Sequence, residues 1–111
     1  MSCYVKKSET AEVKSGHGHG SWPMLGEAQG CVNKCCAGIS YYSSTEYTPP
    51  AVHDDQEGFF VLEGRGWARI GEEEFEIEPE MSFIAPAGTV HQLKSSSPEC
   101  PVTVFWFHAN I

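Results

Sequence analysis

Three side chains in this sequence could share one metal ion: His53, Glu57 and His91. The two imidazoles and one carboxylate are the donor set of non-haem Fe(II) oxygenases and also suit catalytic zinc with water in the fourth place. Spacing decides whether they can meet. Four residues along one strand would separate the roots of His53 and Glu57 by ~13 Å, at ~3.3 Å per residue. Metal ligands must approach to about 2 Å. The chain must therefore fold back between them, and Asp54-Asp55-Gln56 supplies turn-forming residues there. His53 is expected to end one strand and Glu57 to begin its antiparallel neighbour. His91 follows Pro86-Ala87-Gly88, where proline sets φ and glycine can take positive φ. Two hairpins laid together would bring the three groups to one point.

These segments have a recognisable pattern. Residues 49–66 read PPAVHDDQEGFFVLEGRG and residues 82–93 read SFIAPAGTVHQL. They resemble the two motifs of the cupin superfamily, G(X)5HXH(X)3-4E(X)6G and G(X)5PXG(X)2H(X)3N. His53, Glu57 and Gly64 fall on the second histidine, the glutamate and the closing glycine of the first motif. Pro86, Gly88 and His91 fall on the proline, glycine and histidine of the second. The resemblance covers about residues 40–107. Ala51 stands where the first histidine should be, Glu80 where the second motif opens on glycine, and Ser95 where it closes on asparagine. The resemblance implies a double-stranded β-helix, or jelly-roll barrel, and a divalent metal held by His53, Glu57 and His91, with Fe, Zn, Mn and Ni all open. The usual four-ligand set is broken at Ala51. That loss either opens a coordination position or is made good by another residue. His17 and His19 are candidates by type, although their glycine-rich surroundings read as a mobile exposed loop. His108 reads as structural or surface unless the pocket reaches it.

The rest of the chain must position these residues. Its 111 residues suffice for one domain with one core. Residues 1–30 read as an N-terminal extension of weak strands and a loop, and residues 40–107 as the barrel. Strands are expected at 36–43, 45–48, 58–63, 67–70, 72–78, 82–85, 91–94 and 102–108, with a hairpin turn at Gly64-Arg65-Gly66 and another at Gly71-Glu72. Glu72, Glu74, Glu76 and Glu78 share one parity against Phe75 and Ile77 on the other, so that strand has a wet acidic face. No amphipathic helix stands out, and the fold class is all-β. Ala51, Tyr47, Phe59, Phe83 and Trp106 are candidates to line a pocket, and Arg65 and Arg69 to anchor a substrate carboxylate.

Composition narrows the functions. The formal charge is −8, with 15 acidic against 7 basic residues and no basic cluster, which disfavours nucleic acid and anionic membrane surfaces. No apolar run reaches the ~18 residues of a membrane span, and the first residues lack a signal-peptide core, so a cytoplasmic location is expected. Cysteine usage agrees: the five cysteines are an odd count, and Cys31, Cys35 and Cys36 read as free thiols rather than a zinc knuckle. The resemblance implies a small-molecule partner and a homodimer. Two functions follow: a small metalloenzyme of isomerase, lyase or dioxygenase type, or a non-catalytic sensor or carrier of a small ligand, possibly metal-free.

Overall fold

The computed structural model describes residues 2–111. Nine strands run in the order β1 (Val13–Gly16), β2 (His19–Leu25), β3 (Cys36–Tyr42), β4 (Gln56–Glu63), β5 (Gly66–Ile70), β6 (Glu73–Ile77), β7 (Ser82–Ala85), β8 (His91–Ser95) and β9 (Val102–Ala109). They form two antiparallel sheets, a six-stranded one ordered β1-β2-β3-β9-β4-β7 and a three-stranded one ordered β6-β5-β8. Apart from two short 3-10 turns, the described residues contain no helix. The all-β jelly roll expected from the sequence is the fold observed.

Period-2 alternation builds the core between the sheets. Val102 and Val104 of β9, Phe59 and Val61 of β4, Leu93 of β8, Ala68 of β5 and Ile77 of β6 are buried and belong to one cluster, with Tyr42 and Ala85. The glutamates at 72, 74, 76 and 78 are exposed, as their parity requires. The outer face of the large sheet is also apolar, with Phe60, Leu62, Ile84, Phe105 and Phe107 each partly exposed.

Several local expectations change. Gly64-Arg65 is not a hairpin turn: β4 lies in the large sheet and β5 in the small one, so this turn carries the chain between layers. The Pro86-Gly88 turn does the same between β7 and β8, closed by the Thr89 amide donating to the Pro86 carbonyl at 3.0 Å. Gly64 has φ +83, and a Cβ there would run into the Pro101 carbonyl oxygen. A local pattern marks a turn but cannot say which sheet receives the next strand.

The glycine-rich stretch after Val13 is a β-hairpin, not a loop. Gly16, His17 and Gly18 take φ of 82, 53 and 71, so these residues make the tight reversal. β2 then pairs with β3 from His19↔Tyr42 onward, and that ladder overrides its weak strand propensity. Residues 45–48 form no strand. Residues 43–51 instead follow β8 through scattered bonds, from Ser95 N to the Ser44 carbonyl, Thr48 N to the Leu93 carbonyl, and reciprocally between Ala51 and His91. Pro49-Pro50 removes two donors from that path.

Candidate metal centre

Four elements deliver side chains to one end of the barrel. Glu57 is the second residue of β4, and His108 sits directly opposite it on β9. His91 opens β8, held by the bridge to Ala51. His53 does not end a strand antiparallel to that of Glu57, as expected: it lies outside any strand, because β4 takes β7 and β9 as its partners. Its carbonyl accepts from the Gly88 amide at 2.8 Å, which ties it to the turn before β8. The bend at Asp54-Asp55 then turns the chain into β4.

One oxygen, Glu57 Oε1, is the centre. It lies 3.1 Å from His91 Nε2, 3.4 Å from His53 Nε2 and 3.6 Å from His108 Nε2. His53, Glu57 and His108 each offer a donor atom within 4.8 Å of the others, a group able to hold a metal ion. Glu57 is buried, His108 half-buried and His53 exposed, so the group runs from the barrel interior to its rim. The His53 ring centroid is 5.1 Å from that of His91 and 5.0 Å from that of His108.

His108 is the member of this group that the sequence did not place beside His53 and Glu57. Its parity was readable, because Val102, Val104, Trp106 and His108 alternate on one face of β9. The strand order that sets β9 beside β4 was not. His108 also carries support of its own: its Nδ1 lies 3.0 Å from both carboxylate oxygens of Asp55. Burial opposes ionisation of Asp55, but the His108 contact outweighs it and holds the carboxyl below its ordinary range. His91 differs, since its buried Nδ1 has no hydrogen-bond partner.

A cavity of about 410 Å3 opens beside these groups. Its wall includes Ala51, Trp106, Ser21, Ser40, Thr48 and Gln92, and none of its lining residues is Lys or Arg. Trp106 is fixed by its indole N–H donating to Ser21 Oγ at 3.2 Å. Gly38 makes room for it, because a Cβ there would stand 2.6 Å from the indole ring. His19, expected in a mobile loop, also lines the cavity and stacks on Tyr42 at 4.4 Å between centroids. Burial lowers the pKa of His19, with the Glu57 charge acting in the opposite sense. Burial, reinforced by Glu57, raises that of the Tyr42 phenol, which stays neutral. His17 is exposed in the turn.

Other candidates lie elsewhere. Phe59 is core, stacked on Phe83 at 4.8 Å, and both belong to the packing beneath the site rather than to the cavity wall. Tyr47 sits on the outside of the small sheet, its hydroxyl donating to Glu74 at 2.5 Å. Arg69 and Lys94 lie over its ring. Arg69 pairs with Glu74 and Arg65 with Glu78, so neither arginine faces the cavity. Side-chain parity separates inside from outside only once the register is known. All five cysteines are free thiols.

Residues 40–108 match the cupin domain family. The chain belongs to the cupin family. No curated protein sequence matches it. Among solved structures, this cupin is similar to the polyketide cyclase RemF from Streptomyces resistomycificus, with a TM-score of 0.77, 16% identity, and 94% of this chain and 76% of that one covered. It is similar to FeII HppE, with a TM-score of 0.76, 12% identity and 96% of this chain covered. The Schizosaccharomyces pombe Cnp3 cupin domain gives a TM-score of 0.73 and 17% identity over 84% of this chain. The chain spans 61% of that Cnp3 chain and 59% of the HppE chain.

Proposed function

We propose that this cupin is a small metalloenzyme. It holds one divalent ion through His53, Glu57 and His108, with His91 Nε2 beside them as a further donor, and acts on a small polar molecule in the adjoining cavity. The observation that carries this reading is the convergence of three imidazole Nε2 atoms, at 3.1, 3.4 and 3.6 Å, on the single oxygen Glu57 Oε1. Three nitrogens and a carboxylate fit Zn, Fe, Mn or Ni by donor type. His108 thereby supplies the nitrogen that Ala51 does not. When bound, such an ion acts as a Lewis acid or activates water or O2.

The chain's own residues do the rest. Ser21, Ser40, Thr48 and Gln92 offer hydroxyl and amide groups to a ligand, and Trp106 offers an apolar wall. With no Lys or Arg in the lining, recognition falls on hydrogen bonds and the ion rather than on a cationic clamp. The presence of Fe(II) in HppE and the cyclase activity of RemF, on similar barrels, support a metal and an enzymatic role.

The test begins with elemental analysis of untagged protein and titration with Zn(II), Fe(II), Mn(II) and Ni(II). About one equivalent per chain is expected. Ligand at a hundredfold above its Kd should stabilise the fold by about 2.7 kcal/mol, visible as a rise in Tm. Turnover is then assayed over small keto acids, sugars and thiols under O2. Absence of both stoichiometric metal and a metal-dependent Tm rise defeats the reading. Ligand binding without turnover turns it into the sensor or carrier function.

A further inference from the structure

We propose that Asp55 is a positioning residue: it fixes the proton of His108 on Nδ1, so that Nε2 presents its lone pair to the metal site. The inference rests on the metal-site reading above.

The geometry gives the two imidazoles that flank Glu57 different far sides. Both Asp55 oxygens stand 3.0 Å from His108 Nδ1, and the two side chains are only 16% and 17% exposed. His91 Nδ1 is buried with nothing to receive a proton. A neutral imidazole carries one N–H, and the hydrogen bond at the other nitrogen decides which. For His108 two carboxylates compete for that proton. Glu57 Oε1 is 3.6 Å from Nε2, whereas Asp55 offers two oxygens at 3.0 Å from Nδ1. Asp55 wins on both distance and number. Carboxylates placed behind metal-binding histidines orient the ring and raise its basicity, and losing one costs roughly 10–100-fold in metal affinity.

The position of Asp55 also explains how this is possible in so short a segment. It lies at the bend between His53 and β4, two residues before Glu57. Gln56 and Glu57 pair with Ala109 and His108, so the bend sits over the end of β9. One five-residue stretch thus contributes a ligand at each end and a carboxylate between them that reaches the ligand on another strand.

The test uses nitrogen-15 NMR of the histidine rings in metal-free protein at pH 8, in wild type, Asp55→Asn and Asp55→Ala, followed by Zn(II) competition titration of each. Wild-type His108 is expected as the Nδ1–H tautomer. In Asp55→Ala the ring should move toward Nε2–H, and Zn(II) affinity should fall roughly 10–100-fold. In Asp55→Asn, whose carboxamide oxygen can still accept, the tautomer should hold and affinity should fall less than in Asp55→Ala. The Asn variant also serves should the Ala variant not fold. The proposal is overturned by a wild-type ring that is Nε2–H or doubly protonated, or by an Asp55→Ala ring unchanged from wild type. A tautomer change that leaves Zn(II) affinity within twofold also overturns it. Failure of wild type to bind any metal defeats the metal-site reading, while the ring spectra still decide whether Asp55 sets the tautomer.

Discussion

Glu57 and His108 are directly paired across the β4–β9 ladder, and Glu57 Oε1 lies 3.6 Å from His108 Nε2. The last strand of the barrel therefore borders the proposed metal site. His108→Ala should abolish stoichiometric metal binding, as should His53→Ala and Glu57→Gln, while far-UV circular dichroism stays that of the wild type. His91→Ala should weaken binding without the same loss, because His91, although its Nε2 is 3.1 Å from Glu57 Oε1, is not one of the three residues whose donor atoms all lie within 4.8 Å of one another. Metal content by elemental analysis decides this. Full occupancy in His108→Ala would return the site to His53, Glu57 and His91.

Beneath the site, Phe59 is 1% exposed and stacked on Phe83. Truncating a buried phenylalanine costs about 3–5 kcal/mol. Phe59→Ala should therefore lower the urea midpoint by most of the stability of a domain this small. It should weaken metal binding only through unfolding. Restoring the fold with an osmolyte should restore the affinity.

The crossing between sheets depends on Gly64, at φ +83 and hard against the Pro101 carbonyl. Gly64→Ala meets both a left-handed backbone and a collision with backbone atoms. A loss of roughly 1–3 kcal/mol is expected from the conformation alone, with more from the clash. Gly16→Ala shares the positive φ but has open space around it. It should cost less in the same chemical denaturation assay.

On the outer surface, Tyr47 gives an alkaline pH dependence. Burial, then its hydrogen bond to Glu74, raises its pKa from 10 to about 12. The unfolded chain releases this proton first, so between these values it binds fewer protons than the folded state. Stability from this group is thus present below pH 10 and lost as pH rises toward about 12. Tyr47→Phe should flatten that part of the Tm-against-pH curve. An unchanged slope in Tyr47→Phe would assign the loss to other groups.

The sequence by itself determined the all-β fold and pointed to His53, Glu57 and His91, three of the four side chains gathered at Glu57 Oε1. Alternation in Val102–Ala109 and Glu73–Ile77 is a local property, since neighbouring side chains on a strand must point to opposite faces. The need for a bend between His53 and Glu57 followed from the reach of an extended chain, but the antiparallel pairing expected across it did not form, because β4 pairs with β7 and β9. Tertiary structure alone decided which strands lie side by side. That placement put His108 and Asp55 at the centre, moved His19 from an expected loop to the cavity wall, and sent Tyr47, Arg65 and Arg69 to the outer surface. The physical reason is range. Pleat and turn chemistry act over a few residues, whereas His108 meets Asp55 across 53 positions of chain, a contact fixed only when the whole barrel closes.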